Sequence, residues 1–220
     1  FVQVSTDEVY GELKKNEKPF REDSKISPKN TYSISKATAD HLVQYYSNNY
    51  NLNCIITRCS NNFGFWQHPE KLIPNTIMNC IKKQKIPIYG DGKNIRDWIN
   101  VKDHCLGIEK VIKKGKRGET YLIGSNNEIT NIKIAKLITK YFQLKNQKFD
   151  YKNLITYVQD RLSHDKRYAI NFSKAKKKLN FSPQHDFINS LNKTIDHYID
   201  NQKFYNSIVT KSKWFKKHYG

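Results

Sequence analysis

Two short apolar runs on either side of one amphipathic helix limit what this chain can fold into. The runs cover residues 1–5 and 53–58, and residues 31–50 between them place apolar side chains three and four positions apart. Apolar runs of this length are typical of parallel strands that helices cover on both faces. The order strand, helix, strand therefore predicts an α/β fold, in which these elements form the C-terminal part of a doubly wound parallel sheet.

The rest of the chain predicts further strands and helices, enough for a second, smaller α/β domain. An Asp-Gly pair at residues 91–92 lies between two apolar runs and predicts a β-hairpin. The predicted strands cover residues 86–90, 95–101 and 119–124. The predicted helices lie near residues 71–84, 102–114, 131–142, 173–180 and 185–203.

Length and cysteine usage narrow the class of protein. With 220 residues the chain is long enough to bury a sizeable core. Its four cysteines form no C-x-x-C pair, and no run approaches about 18 apolar residues, so we expect neither a disulfide framework nor a membrane span. We also predict no metal site, and no signal peptide is visible. These features favour a reduced, cytoplasmic setting.

A net charge of +19 raises the question of a nucleic-acid partner, because basic domains collect phosphate. Of the 39 basic residues, however, 33 are Lys and 6 are Arg. The Lys-rich stretches at residues 113–116 and 176–178 also lack the interleaved aromatic residues of a single-strand binding surface. We therefore expect no nucleic-acid partner and keep a basic nucleic-acid-binding module as the alternative from another functional class.

Side chains suited to acid–base chemistry follow the first strand. Residues 5–8 read Ser-Thr-Asp-Glu and lie at its predicted carboxyl end, where open α/β sheets bind ligands. Asp7 and Glu8 can serve as acid and base if their surroundings keep one protonated and the other ionised. The alternative is a helix cap or a pair of exposed loop acids.

A Tyr-x-x-x-Lys pair begins the helix after this strand. Tyr32 and Lys36 lie four residues apart and so share one helix face, where the ammonium is expected to lower the pKa of the phenol and make it a usable base. The same spacing occurs four times in the chain. The position of this pair after the strand, rather than its spacing, therefore selects it.

The glycine-rich turn G-x-G-x-x-G, which doubly wound sheets use to bind dinucleotides, does not occur in the chain. Either the protein binds no dinucleotide, or the sequence lacks the N-terminal half of that domain. The chain begins without Met and inside a predicted strand, which favours the second explanation.

Seven short blocks occur in a fixed order along the chain. They are Ser-Thr-Asp-Glu-Val-Tyr-Gly (5–11), Tyr-Ser-Ile-Ser-Lys-Ala (32–37), Cys-Ser-Asn-Asn-Phe-Gly (59–64), Pro-Glu-Lys-Leu-Ile-Pro (69–74), Ile-Tyr-Gly-Asp-Gly (88–92), Arg-Asp-Trp (96–98) and Asp-Arg-Leu-Ser-His-Asp-Lys-Arg-Tyr-Ala-Ile (160–170). Together they resemble the motif set of the dTDP-glucose 4,6-dehydratases, which are extended short-chain dehydrogenases/reductases. The resemblance runs from residue 1 to about residue 200.

This resemblance implies a Rossmann-type NAD-binding domain at residues 1–65 and 102–125 and a nucleotide-sugar-binding domain at residues 66–101 and 126–220. It implies a lyase that uses NAD to oxidise the sugar at C4, eliminates water across C5 and C6, and returns the hydride to C6. The product is a 4-keto-6-deoxy sugar for deoxysugar biosynthesis. The resemblance also implies a homodimer.

The resemblance implies roles for individual residues as well. Tyr32 would be the base for C4 oxidation with Lys36 in support, Glu8 would remove the C5 proton, Asp7 would protonate the C6 hydroxyl, and Thr6 would bind near the 4-hydroxyl. NAD contacts are implied for Ser5, Tyr32, Lys36 and Asn62. Substrate contacts are implied for Asn61, Lys71 and Leu72, for Pro87 and Tyr89 at the base, and for Arg96, Asn131, Arg161 and His164 at the nucleotide and diphosphate.

Two departures from the family pattern bear on loop geometry and substrate selectivity rather than on the reaction class. Leu162-Ser163 stands where the family usually has Pro-Gly, and Phe65-Trp66-Gln67 replaces a more usual Pro-Tyr pair. A UDP-glucose 4,6-dehydratase remains a close alternative. A 4-epimerase needs no elimination pair, so Asp7-Glu8 counts against it. An inactive fragment that acts only as a binding domain is the last alternative.

Overall fold

Each predicted strand and helix has a counterpart in a computed structural model that describes residues 1–161 and 164–211. The strands are β1 (Val2–Thr6), β2 (Ile55–Cys59), β3 (Asn61–Phe63), β4 (Ile86–Tyr89), β5 (Ile95–Asn100), β6 (Thr120–Ile123), β7 (Glu128–Thr130) and β8 (Ile155–Val158). The helices are α1 (Thr31–Tyr50), α2 (Leu72–Lys82), α3 (Val101–Lys114), α4 (Asn131–Lys145), α5 (Ser173–Leu179), α6 (Phe187–Asp200) and α7 (Gln202–Lys211). Two 3-10 turns cover Asp7–Tyr10 and Tyr151–Leu154.

A parallel sheet in the order β1-β2-β6 carries the predicted βαβ unit. Leu122 of β6 packs with Ala37 of α1 on one face of this sheet. Tyr121 and Ile123, its neighbours on the same strand, point to the other face and pack with residues of α3 and α5. Helices thus cover both faces, as the apolar strand patterns predict.

Local side chains set the ends of α1. The Asn30 side chain accepts from the backbone N–H of Ser33, and the Ser33 hydroxyl in turn approaches the backbone N–H of Asn30, which forms a capping box. At the other end Asn51 adopts a left-handed conformation that ends the helix. This capping starts α1 at Thr31 and so places Tyr32 in its first turn.

The predicted hairpin at residues 91–92 is wrong. β4 pairs in parallel with β8, whereas β5 belongs to a separate sheet in the order β3-β5-β7. A turn does form at Gly92, whose φ is +68°, and a Cβ there would lie 2.6 Å from Ile88 and 2.9 Å from Ile132. The Asp-Gly signal is local and predicts the turn, but the strand partner of β4 lies far along the chain.

Helix boundaries elsewhere follow the predictions with one exception. The helix predicted at residues 185–203 is two helices, α6 and α7, and α7 continues to Lys211. The break falls at Asn201, whose amide side chain donates to the backbone carbonyl of His197 and so competes with the helical pattern.

Contacts divide the chain into two units. Unit 1 holds the described residues of Phe1–Asn62, Asn94–Ile129 and Leu162–His185, and unit 2 those of Phe63–Lys93, Thr130–Arg161 and Asp186–Gly220. The predicted domain boundaries placed residues 94–101, 126–129 and 164–185 in the second domain, whereas they pack with unit 1. They placed residues 63–65 in the first domain, whereas these residues pack with unit 2. Which ligand each domain binds stays a prediction.

Unit 2 builds its own core where α2, α4 and α6 pack together and α2 and α4 also contact β4. Ile77, Ile134 and Ile195 are fully buried there. Across both units, no helix within the described residues is long and apolar enough to span a bilayer.

Candidate active site

The carboxyl end of β1 turns at once into the 3-10 turn that carries Asp7 and Glu8. Thr6 caps this turn, because its extended backbone lets its hydroxyl oxygen accept from the backbone N–H of Glu8 at 3.3 Å. Two adjacent carboxyls therefore lie at the sheet edge where the sequence predicts a site.

Asp7 is buried to 1% exposure, and its hydroxyl neighbour Thr6 donates to one carboxyl oxygen at 3.4 Å. Burial, followed by the negative charges of Glu8 and Asp97, raises the pKa of Asp7 well above its ordinary value, and Arg96 opposes the shift only in part. The carboxyl therefore favours its protonated form, in which it can donate a proton.

Glu8 has different surroundings. It is half-buried and accepts from the Asn30 side chain at 3.3 Å. Since Asn30 also caps α1, this hydrogen bond ties Glu8 to the helix end that carries Tyr32. Asp7 and Glu8 are thus adjacent carboxyls in different surroundings, one buried and the other half-buried and bonded to Asn30.

Tyr32 is 51% exposed, and its side chain lies close to Thr6 and Glu8. Burial and the charge of Glu8 raise the pKa of the phenol, and a hydrogen bond to Thr6 lowers it in part. The expectation that Lys36 lowers this pKa is wrong in this structure, because the Lys36 ammonium lies 6.0 Å from the ring centre and donates to the backbone carbonyl of Val4 at 3.1 Å.

Two of the residues predicted to contact NAD have side chains engaged within the protein. The Ser5 hydroxyl donates to Asp40 at 3.0 Å, and Ser5 is buried. The Asn62 amide nitrogen donates to the Ser60 carbonyl at 3.1 Å. Asn61 beside it is half-buried, and within the described chain its buried Oδ1 has no hydrogen-bond partner.

Arg96 is buried in unit 1 rather than exposed. Its guanidinium lies 4.5 Å from the Tyr168 ring centre and donates to the backbone carbonyls of Ile95 and Asp165, both at 2.8 Å. The positive charge of Arg96 lowers the pKa of Asp7, against the larger effect of burial. His164 is half-buried in the same unit.

The other predicted substrate residues lie in unit 2. Lys71 and Leu72 lie at the start of α2, Asn131 begins α4, and Pro87 and Tyr89 belong to β4. The Arg161 guanidinium stacks on the Tyr89 ring at 4.2 Å from its centre, so these two side chains come together. Pro87 lines a cavity of about 450 Å³, and the departure at Leu162-Ser163 lies outside the described residues.

Sequence reasoning missed two groups that shape the site. Asp97 is buried and accepts from Ser125 and from the backbone N–H of Asn127 at 2.8 Å, while its charge raises the pKa of Asp7. Its place within the block at residues 96–98 was the available signal. Asn30 was recognisable only as a helix cap. The described residues contain no cluster of potential metal ligands.

The chain is similar in sequence to a known protein family and to curated proteins. Residues 1–194 match the model of the protein family described as GDP-mannose 4,6 dehydratase. A dTDP-glucose 4,6-dehydratase of Neisseria meningitidis serogroup B is 42% identical, over 96% of this chain and 61% of that protein. The chain therefore spans about three fifths of the length of this curated relative.

Solved structures of dTDP-glucose 4,6-dehydratases are also similar to this chain. The dTDP-glucose 4,6-dehydratase of Bacillus anthracis in complex with NAD has a TM-score of 0.86 at 44% identity, over 94% of this chain and 64% of that chain. The enzyme of the same name from Streptomyces venezuelae has a TM-score of 0.88 at 37% identity, over 94% of this chain and 62% of that chain. The predicted resemblance and the predicted α/β fold class are confirmed.

Proposed function

The chain belongs to the GDP-mannose 4,6 dehydratase family, and from that membership we propose that the natural protein carrying it is an NAD-dependent lyase that converts dTDP-glucose to dTDP-4-keto-6-deoxyglucose. Relatives with 42% and 44% identity are named dTDP-glucose 4,6-dehydratases, which supports the thymidine sugar over the uridine sugar. Because the chain covers 61% of the Neisseria relative, the proposal concerns the whole protein.

The observation that carries this proposal is the contrast between Asp7 and Glu8. Loss of water from neighbouring carbons needs one group that removes a proton and another that protonates the departing hydroxyl. Asp7 is buried with a raised pKa, whereas Glu8 is half-buried and tied to Asn30. In the proposed reaction Glu8 removes the proton at C5 and Asp7 gives its proton to the C6 hydroxyl, so one water leaves.

The residues present fit NAD in part. Tyr32 offers a half-exposed phenol and Lys36 an ammonium with donors to spare, whereas the side chains of Ser5 and Asn62 are engaged within the protein. We therefore expect the side chains of Tyr32 and Lys36 to hold the cofactor. When bound, NAD can accept a hydride from the sugar and later return it. Tyr32 would take the 4-hydroxyl proton, and Thr6 would hydrogen-bond to that hydroxyl.

Substrate binding is proposed for the remaining predicted residues. The Arg161 fork, stacked on Tyr89, suits an anionic oxygen or a base edge. Arg96 and Arg161 are both proposed to act at the nucleotide and diphosphate. Roles at the sugar are proposed for Asn61, Lys71 and Leu72. Roles at the nucleotide are proposed for Pro87, Asn131 and His164.

The test is product analysis with the natural protein loaded with NAD. We expect dTDP-glucose to give a product lighter by one water, with UDP-glucose and GDP-mannose turned over far more slowly. Faster turnover of UDP-glucose would favour the uridine enzyme, and a product of unchanged mass would indicate an epimerase. If the folded, NAD-loaded protein reacts with no sugar, the alternative of a non-catalytic binding domain is favoured.

A homodimer and a cytoplasmic location are part of the proposal. Support for self-association comes from α1, where Leu42, Tyr45, Tyr46 and Tyr50 are all about half exposed. Light scattering on the natural protein and on Tyr46→Glu tests this. A monomeric mass for the unaltered protein would contradict it.

A further inference from the structure

A buried ion pair joins α1 to the two strands beneath it. The Nε atom of Arg58 on β2 lies 2.8 Å from Oδ2 of Asp40 on α1, with exposures of 1% and 0%. The Ser5 hydroxyl of β1 donates to the same oxygen at 3.0 Å. Ser5 and Arg58 are partners in the register of the two strands, so Asp40 is held by both strands at one level.

The other arm of Arg58 reaches the turn that carries the acid–base pair. Its Nη1 donates to the Tyr10 hydroxyl at 2.8 Å, and its guanidinium lies 4.9 Å from the Tyr10 ring centre. Tyr10 is the last residue of the 3-10 turn that holds Asp7 and Glu8. One guanidinium therefore links this turn to α1.

The helix face that carries Asp40 also carries the two predicted catalytic residues of α1. Tyr32, Lys36 and Asp40 follow at four-residue intervals and so lie along one side of the helix. Lys36 donates to the carbonyl of Val4, the residue before Ser5. A shift of α1 along β1 would therefore move Tyr32 relative to Thr6 and Glu8.

We propose that Asp40 and Arg58 are positioning residues for catalysis, which together hold Tyr32 and Lys36 in place against Asp7 and Glu8. This inference rests on the proposed function. Neither residue reaches the sheet edge where the sugar would bind; they act through Ser5, Tyr10 and α1. Removal of either partner would leave an unpaired buried charge, which is strongly destabilising, so the two residues depend on each other to hold α1 against β2.

Asp40→Asn tests the proposal in the natural protein. The amide keeps an oxygen for Ser5 but removes the charge opposite Arg58. We expect the rate of C4 oxidation, followed as cofactor reduction, to fall roughly 10- to 100-fold with little change in KM. The double variant Asp40→Asn/Arg58→Gln removes the unpaired charge and should recover much of the lost Tm. If the pair acts by positioning, this double variant stays slow.

Glu128→Gln is the matched control. It breaks a second ion pair of unit 1, in which Arg167 donates to the Glu128 carboxylate from Nε at 2.6 Å and from Nη2 at 3.0 Å. The Nη1 atom of Arg167 donates to the backbone carbonyls of residues 14 and 17. We expect it to lower Tm without slowing C4 oxidation. A rate that simply follows Tm across all of these variants would overturn the proposal.

A second readout does not depend on activity. Carbon-13 NMR of labelled tyrosine, with the Tyr32 signal assigned through Tyr32→Phe, should show a changed Tyr32 environment in Asp40→Asn and an unchanged one in Glu128→Gln. An unchanged Tyr32 signal in Asp40→Asn would contradict the positioning role. If the unaltered protein fails to react with any nucleotide sugar, the proposed function fails, while this measurement still decides the placement of Tyr32.

Discussion

The Nδ1 atom of His104 lies 2.9 Å from the amide Oδ1 of Asn62. Burial lowers the pKa of His104 to about 4, so the imidazole is neutral near pH 7 and donates from Nδ1 to the amide oxygen. The amide nitrogen of Asn62 donates in turn to the Ser60 carbonyl and approaches Cys59 Sγ at 3.4 Å. α3 is thereby tied to the segment that follows β2.

From this contact we predict an acid-sensitive stability. The imidazole stays neutral when folded but takes up a proton near pH 6.5 when unfolded, so below that pH the unfolded state binds more protons. The stabilising contribution is fully present above pH 6.5 and is lost as the pH falls toward 4, by about 3 kcal/mol. His104→Asn keeps a donor for Asn62 but cannot be protonated. Urea unfolding between pH 4 and 7 should therefore show a shallower loss in the variant, and equal losses in both proteins would contradict the prediction.

Asp7 leads to the opposite pH dependence. Its pKa is raised, chiefly by burial, so its contribution to stability is fully present below the ordinary value of 3.8 and is lost as the pH rises through the folded value. Asp7→Asn is neutral at every pH and should raise Tm at pH 8, by about 2–4 °C for each kcal/mol recovered. It cannot donate the required proton, so dehydration should fall roughly 100- to 10,000-fold.

Calorimetry and the dehydration assay on the same Asp7→Asn preparation check both parts. Asp23→Asn, at an exposed carboxyl paired with Arg21, is the control and should change neither quantity. A lower Tm for Asp7→Asn at pH 8 would show that the buried carboxylate stabilises the fold.

The sequence predicted the fold best where the signal is local. The two apolar runs and the amphipathic segment between them became β1, α1 and β2 within a residue or two. Strand pairing was not predictable in the same way, because β4 takes its partner from residues 155–158, which no strand prediction covered. Turn chemistry at Gly92 indicates where the chain reverses and not what the strand then pairs with.

In the site, too, local features were predictable and contacts between distant residues were not. Residue type and order led to predicted roles for Asp7, Glu8, Tyr32 and Lys36. The direction of the Tyr32 pKa shift was not predictable, because it depends on burial and on Glu8 approaching through space while Lys36 turns to Val4. The burial of Asp40 was equally hidden, since a carboxylate on an amphipathic helix is usually solvated, and Asp40 is paired with Arg58 of strand β2.

Glu8→Gln should separate the two halves of the proposed reaction. Without its carboxylate, the variant cannot remove the C5 proton, so overall turnover should fall roughly 100-fold or more while C4 oxidation remains measurable. Loss of the negative charge should also lower the pKa of Tyr32, because Glu8 is the largest charge that raises it. The rise of C4 oxidation with pH is then expected to begin at lower pH.

Stopped-flow measurement of cofactor reduction across pH checks this prediction, with Tyr32→Phe as the variant in which the step itself should be crippled. Asp23→Asn again serves as the charge control. Full overall turnover in Glu8→Gln would rule out its role as base, and an unmoved pH profile would rule out its effect on the phenol.

Gly11 ends the 3-10 turn that carries the acid–base pair, and we predict that Gly11→Ala is strongly destabilising. Its φ of +82° and ψ of −150° fall in a region that only glycine adopts readily, and a Cβ would lie 2.5 Å from the Ser27 carbonyl oxygen. We expect a loss of about 2 kcal/mol or more in the free energy of unfolding. Gly118→Ala is the matched control, because its φ is +76° but its Cβ would meet only the Ser47 hydroxyl at 3.6 Å. In urea unfolding, we expect Gly118→Ala to lose about 1 kcal/mol in the free energy of unfolding. An equal loss at both sites would mean that backbone strain alone, and not the Ser27 contact, requires glycine beside Asp7 and Glu8.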